Sequence, residues 1–198
     1  MLAKMRVRVQ PTHTIVVWDG GLSAVRQAAL PDYKAQRPEM PADLGAQLDE
    51  IGRYLSAANV AGFCGAGIEA DDYIACLACA ARRSERARTG VAASPAGTGG
   101  VAGWEVVIAS ADKDFMQLVA TGVGLLNPND KSETIWTAAQ VRAKTGVEPD
   151  QIVDWLSLVG DSVDNIPGVP GVGPKTATEL LQQFGSVAEM YRRLAEVK

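Results

Sequence analysis

Thr14-Ile-Val-Val-Trp18-Asp19-Gly20-Gly21 is a short, continuous apolar run rich in β-branched residues that stops at an acid and two glycines. A run without polar alternation suits a strand covered on both faces, as in a parallel sheet. Working outward, Glu105-Val-Val-Ile-Ala109 repeats the pattern and again leads into small residues and acids, Ser110-Ala-Asp112-Lys113-Asp114. Residues 123–126 form a weaker third strand. Between the strands lie two helical patterns: residues 41–58, opened by a proline, and residues 69–83, with Ile74, Leu77, Ala78 and Ala81 on one face. Strands alternating with helices predict an α/β fold.

A chain of 198 residues that is 47% hydrophobic and 21% charged can bury a core as one domain, or as one domain with a small appendage, which excludes disorder throughout. The net charge of -4 and pI near 5.1 argue against a nucleic-acid binder unless the acids have a purpose of their own. Cys64, Cys76 and Cys79 lack paired metal-ligand spacing and read as reduced core thiols, and the lone His13 reads as solvated. No stretch approaches the roughly 20 apolar residues needed to cross a bilayer. The first residues hold no run of signal-peptide length, so a cytoplasmic location without a membrane partner is expected.

Residues 84–103, rich in Gly, Ala, Ser and Thr, predict a flexible surface loop. Arg82, Arg83, Arg86 and Arg88 beside it either touch phosphate or decorate a solvated helix end. After Asn127-Pro-Asn-Asp130 the remainder reads as helical: residues 137–145, residues 149–159, then two helices joined through glycine.

Acids collect where strands end and helices begin, the place where α/β sheets carry their sites. Asp19 closes the first strand, and either forms an Asx turn with Gly20 and Gly21 or holds a cation. Glu69-Ala-Asp71-Asp72 puts three negative charges in one turn. They complement a helix dipole, but one acid would suffice for that, and the mutual repulsion of three asks for a cation. Asp112 and Asp114 either cap the next helix or join the same site. Asp161 and Asp164 follow a helix end, where negative charge is unfavourable against the dipole. Oxygen donors without a nearby histidine or thiolate suit hard ions such as Mg²⁺ or Mn²⁺. Two such ions would activate a water and stabilise the leaving oxygen of a phosphodiester.

Ile166-Pro-Gly168-Val-Pro-Gly171-Val-Gly173-Pro-Lys175-Thr176-Ala177 is the most specific stretch of the chain. Glycines free backbone amides, and Pro174 starts a helix whose amino end favours an anion, so the stretch predicts a phosphate cradle indifferent to base sequence. It is not a nucleotide P-loop, because Pro174 stands where that motif needs lysine. Tyr33-Lys34-Ala-Gln-Arg37 pairs an aromatic with two cations. It is read as a stacking and phosphate-gripping element, against the alternative of a solvated loop.

Six motifs occur in order: Val16-Val-Trp-Asp19, Tyr33-Lys34-Ala-Gln-Arg37-Pro, Gly67-Ile-Glu69-Ala-Asp71-Asp72, Ala111-Asp112-Lys113-Asp114, Gly160-Asp161-Ser-Val-Asp164-Asn165-Ile-Pro-Gly168 and Gly171-Val-Gly173-Pro-Lys175-Thr-Ala177. Together they resemble the 5′-3′ exonuclease and flap endonuclease family, which includes the exonuclease domain of bacterial DNA polymerase I and its stand-alone relatives. The resemblance runs the length of the chain. It implies a PIN-like α/β core with a parallel sheet over residues 1–136. A helix-hairpin-helix region over residues 137–198 would grip duplex DNA, often with a bound K⁺.

The resemblance further implies Asp19, Glu69, Asp71, Asp112, Asp114, Asp161 and Asp164 as metal-binding acids with Asp72 beside them. Lys34 is implied as a catalytic lysine and, with Tyr33 and Arg37, as a DNA contact. Gly171, Gly173, Lys175 and Thr176 are implied as the hairpin's DNA contacts. The implied reaction is hydrolysis of DNA with two Mg²⁺ or Mn²⁺ ions during replication and repair. Its substrates would be 5′ flaps, forked or nicked duplexes and RNA primers, acted on by a monomer associated with a DNA polymerase. Family members carry a further strand and aspartate, then a loop and helix, before the segment that matches Met1. Residues 2–11 are therefore expected to form the tail of that helix, and the alternative expectation is a branched-DNA-binding module with impaired catalysis.

Overall fold

The computed structural model describes residues 1–89 and 104–197. Five strands and eight α-helices are found among them. Strand β1 (Ile15–Trp18) pairs in parallel with β2 (Ala61–Cys64), Ile15 opposite Ala61 and Trp18 opposite Cys64. Strand β3 (Val106–Ala109) pairs in parallel with β4 (Val123–Leu126), and β5 (Ile135–Trp136) joins β4 antiparallel. The expected parallel pairing is thus present, but in two separate sheets rather than one. The expected strands appear within one residue of their predicted bounds. Strands β2 and β5 were not anticipated, because Ala61-Gly-Phe-Cys64 holds two small residues and β5 is only two residues long.

Helix α1 (Leu2–Val9) fulfils the expected helical start. Helices α2 (Ala24–Ala29) and α3 (Ala42–Ala57) lead to β2, and α4 (Ala70–Thr89) packs against both β1 and β3. Residues 84–89 continue α4 instead of opening a loop. The rest of the predicted loop, residues 90–103, lies outside the described residues. Helices α5 (Ala138–Thr145), α6 (Ile152–Val159), α7 (Pro174–Phe184) and α8 (Val187–Arg192) complete the chain.

Local signals explain several boundaries. The N–H of Thr137 donates to Oε1 of Gln140 at 2.8 Å, one half of a capping box at the start of α5. Pro174 opens α7 at a position where its missing N–H is not needed. Ser186 accepts from the N–H of Glu189 and starts α8.

The core is one cluster that runs from β3 and β4 through the helices behind them. It includes Ile108, Phe115, Met116, Val123, Leu125, Val141, Ile152, Ala177 and Leu181. Each fully buried aliphatic side chain contributes about 1.5–3 kcal/mol. Packing is much thinner on the other side, where α1 and α2 bury no residue and α3 buries only Leu55. The expectation of core thiols is corrected: Cys64, at the end of β2, and Cys76, on α4, are exposed, and Cys79 is half-buried. No helix among the described residues is long and apolar enough to cross a membrane.

Candidate functional site

The loops after β1 and β2 dock backbone to backbone. The N–H of Gly20 donates to the carbonyl of Ile68 and that of Gly67 to the carbonyl of Gly20. A Cβ on Gly20 would lie 1.7 Å from the carbonyl oxygen of Gly65, so the approach admits glycine alone. This contact sets Asp19 against the first turn of α4, where its Oδ1 accepts from the N–H of Ala70 at 2.7 Å. Asp19 is therefore exposed and works as a helix cap. Asp112 behaves alike, accepting from the N–H of Asp114 at 2.9 Å at the start of a 3₁₀ turn, Lys113–Leu118.

Glu69 lies at the centre of a buried polar network. Its Oε1 accepts from the N–H of Ser23 at 3.1 Å and faces Nη1 of Arg26 at 3.1 Å. Its Oε2 accepts from the hydroxyl of Tyr33 at 3.0 Å and from Nζ of Lys34 at 2.5 Å. Burial opposes ionisation of Glu69, but these four partners outweigh it and bring the carboxyl down to about 2. Burial pushes the Tyr33 hydroxyl up to about 12 against the pull of the Lys34 ammonium. Arg26 forks onto Asp72 at 2.7 and 2.8 Å, and the bidentate pair holds the guanidinium above its ordinary value. Asp71 stands 4.0 Å from Arg26, and burial raises its carboxyl.

A second group forms where the turn after α6 meets the 3₁₀ turn. One carboxylate oxygen each from Asp114, Asp161 and Asp164 lies within 4.8 Å of the others. Asp114 Oδ1 is buried and has no hydrogen-bond partner among the described residues. Burial, followed by the neighbouring charges of Asp112 and Asp161, pushes the Asp114 carboxyl up to about 6. Three converging carboxylates with an unsatisfied buried oxygen and no thiolate or imidazole match the donor set of a hard divalent cation. Lys113 approaches Asp161 at 3.2 Å from the open side.

The segment around Tyr33 is latched to this group. Lys34 donates its backbone N–H to the carbonyl of Asp164, Gln36 reaches the carbonyls of Ser162 and Val163, and Asn165 donates to the carbonyl of Asp32. Arg37 holds Asp164 Oδ1 at 2.6 Å while Lys34 stands 3.7 Å from its other oxygen. Lys34 adopts φ 56, a left-handed conformation uncommon for a non-glycine residue. The expected stacking element is corrected here: Tyr33 is 5% exposed and Lys34 9% exposed, so neither ring face nor ammonium meets solvent. Both are drawn inward by Glu69, a partner 35 or more residues away in sequence.

The glycine stretch starts at the same turn. Asp161 and Ile166 exchange backbone hydrogen bonds at 2.8 Å, and Gly160 and Gly168 press together so closely that a Cβ on Gly168 would lie 2.3 Å from the Val159 carbonyl oxygen. Beyond this clasp Gly171 and Gly173 face open space. Lys175, 90% exposed, and Thr176 follow in the first turn of α7. The glycine turn is thus exposed and anchored beside the Asp114 group. Sequence reading missed Arg26 and Ser23. A single arginine beyond a Gly-Leu-Ser stretch carries no signal that it meets acids 43 to 46 residues further on.

Comparison with known proteins agrees with this architecture. The family model described as 5′-3′ exonuclease, N-terminal resolvase-like domain, matches residues 1–146, and the 5′-3′ exonuclease, C-terminal SAM fold, matches residues 147–198. A 5′-3′ exonuclease of Aquifex aeolicus is 38% identical over 97% of this chain and 60% of its own length. The DNA polymerase I of Bacillus subtilis is 36% identical over 100% of this chain and 21% of its own. The chain therefore spans less than two thirds of the length of each of these two relatives. The flap endonuclease Xni of Shewanella piezotolerans is 38% identical over 95% of this chain and 66% of its own. The fold is shared with the T5 D15 protein co-crystallized with metal ions, at a TM-score of 0.72 and 23% identity over 96% of this chain and 68% of that one. Ordered acids, a clasped glycine hairpin and matches spanning both halves converge on one conclusion: the chain belongs to the 5′-3′ exonuclease family.

Proposed function

We propose that this chain hydrolyses phosphodiester bonds in DNA as a divalent-metal-dependent 5′-3′ exonuclease and flap endonuclease. The observation that carries the reading is the buried, unpartnered Asp114 Oδ1 between Asp161 and Asp164, set beside an exposed glycine hairpin. A module that only gripped branched DNA would gain nothing from a carboxylate held up to about 6 by burial and like charge.

In this reading residues 1–136 form the cutting core and residues 137–198 the duplex grip. Asp114, Asp161 and Asp164 hold one Mg²⁺ or Mn²⁺ ion, and Asp19, Glu69, Asp71, Asp72 and Asp112 supply the remaining acids for a second. Ions held there would supply Lewis-acid polarisation of the scissile phosphodiester and a counter-charge to its transition state. The chain's own groups position the substrate. Amides of Gly171 and Gly173, the amino end of α7, Lys175 and Thr176 bind the sugar-phosphate backbone of the duplex, with K⁺ at the hairpin. Arg37, half-exposed, faces the phosphate nearest the acids, while the buried Lys34 orders Glu69 behind it. The substrates proposed are 5′ flaps, forked or nicked duplexes and RNA primers, in work shared with a DNA polymerase in a bacterial cytoplasm, and the chain acts as a monomer.

The test is cleavage of a labelled 5′-flap duplex in Mg²⁺ or Mn²⁺ against EDTA, with Asp114→Asn as control. Metal-dependent cutting that the control lacks is expected. Tight binding of forked DNA without cutting under either metal would replace this reading with that of a binding module.

A further inference from the structure

Arg26 lies outside every motif that marks the site, yet it makes more contacts with the acids than any of the residues the motifs supply as cations. Its guanidinium reaches Asp72 in a fork, Glu69 at 3.1 Å and Asp71 at 4.0 Å, from a side chain that is still 37% exposed. Ser23, the N-cap of α2, fixes the start of the helix that carries it, and the Ser23 N–H itself holds Glu69. The two halves of the acid set therefore differ. Asp114, Asp161 and Asp164 converge on an oxygen without a partner, whereas Glu69, Asp71 and Asp72 converge on a protein cation.

We propose that Arg26 is a reserve phosphate-binding residue, held by Asp72 and Glu69 and released to a DNA phosphate when a divalent cation takes those carboxylates. The inference rests on the nuclease reading above. A guanidinium and a divalent cation compete for the same carboxylate oxygens, so each weakens the other there. The freed fork matches a phosphate as well as it matches a carboxylate. Because coupling between two ligands is reciprocal, phosphate that captures Arg26 must also raise the affinity of the Glu69–Asp72 turn for its ion. Arg26 is thus a positioning residue that links metal occupancy to substrate.

Binding of a 5′-phosphorylated single-stranded oligonucleotide is measured in EDTA for the wild type, Arg26→Gln, Arg26→Lys, Asp72→Asn and Asp71→Asn. Mn²⁺ binding without DNA is measured for the same set from the free-ion electron paramagnetic resonance signal. Arg26→Gln is expected to leave oligonucleotide binding in EDTA within about twofold of wild type, since without metal the fork is already occupied, and to tighten the weaker Mn²⁺ ion by about five- to tenfold, with Arg26→Lys, which cannot fork, in between. Asp72→Asn and Asp71→Asn remove the same charge, but only Asp72 forks the arginine. Asp72→Asn is therefore expected to tighten the oligonucleotide several-fold more than Asp71→Asn does. Should Arg26→Gln fail to fold, the comparison of the two aspartates still decides. Equal effects at Asp71 and Asp72, or unchanged Mn²⁺ binding in a folded Arg26→Gln, overturn the proposal. If the wild type nonetheless cuts flap DNA, the nuclease reading survives that loss, whereas a wild type that neither binds Mn²⁺ nor cuts loses both.

Discussion

Nζ of Lys34 lies 2.5 Å from Oε2 of Glu69, with the two side chains 8% and 2% exposed, and this buried pair pins the Tyr33 segment to the start of α4. Removing one member of such a pair leaves the other charge buried without compensation, which costs about 3–5 kcal/mol. Lys34→Met is expected to lose that much stability in urea denaturation. The double variant Lys34→Met with Glu69→Gln should recover most of it. A single variant as stable as the wild type would show that the pair is open to solvent.

Asp114 acts in the opposite sense. Its carboxyl, ordinarily near 3.8, is pushed up to about 6, so the folded chain binds a proton more readily than the unfolded one. The stability tied to that proton is present below pH 3.8 and is lost as pH rises through 6. Asp114→Asn is expected to raise stability at pH 7.5 in EDTA by on the order of 1–2 kcal/mol, less at pH 5, while abolishing cleavage. Thermal melts at the two pH values check the first part and the flap assay the second.

Glu69 governs the acid side. Its carboxyl falls from 4.5 to about 2 on folding, so its contribution is complete above pH 4.5 and disappears as pH falls through 2. Opposing slopes from Glu69 and Asp114 predict a stability maximum between roughly pH 3.8 and 4.5 in EDTA. Glu69→Gln should flatten the acid limb of a melting-temperature profile from pH 2 to 4, and an unchanged limb would contradict the assignment.

Gly168 and Gly171 separate packing from backbone conformation. A Cβ at Gly168 meets the Val159 carbonyl oxygen at 2.3 Å, so Gly168→Ala is expected to cost about 3 kcal/mol or more and to disrupt the hairpin. Gly171 faces open space but holds φ 81, so Gly171→Ala should cost only about 1–2 kcal/mol. Urea denaturation ranks the two; equal costs would deny the clasp between Gly160 and Gly168.

Lys175 is 90% exposed and its nearest acid, Glu179, stands 3.9 Å away, so stability should not depend on it. Lys175→Gln is expected to weaken duplex binding across all sequences and to reduce the slope of log affinity against log salt by about 1. A titration at several salt concentrations measures the slope directly.

The sequence by itself determined the elements whose signals are local. Continuous β-branched runs marked β1, β3 and β4, Pro174 and Thr137 marked helix starts, and Gly171 with Gly173 marked an open hairpin. It also marked the acids, because carboxylates crowded at strand ends are costly without a cation. Which of those acids meet was decided only in three dimensions. Asp114 joins Asp161 and Asp164 because the clasp of Gly160 on Gly168 aims the turn after α6 at the 3₁₀ turn, while Asp19 and Asp112 are taken up by backbone amides next to them. Arg26, Tyr33 and Lys34 gather on Glu69 from 35 to 43 positions away, and burial of that single carboxylate turns Tyr33 and Lys34, which read as surface contacts, inward. Periodicity and turn chemistry act over a few neighbours, whereas the satisfaction of a buried charge depends on whatever the folded chain brings within 3 Å.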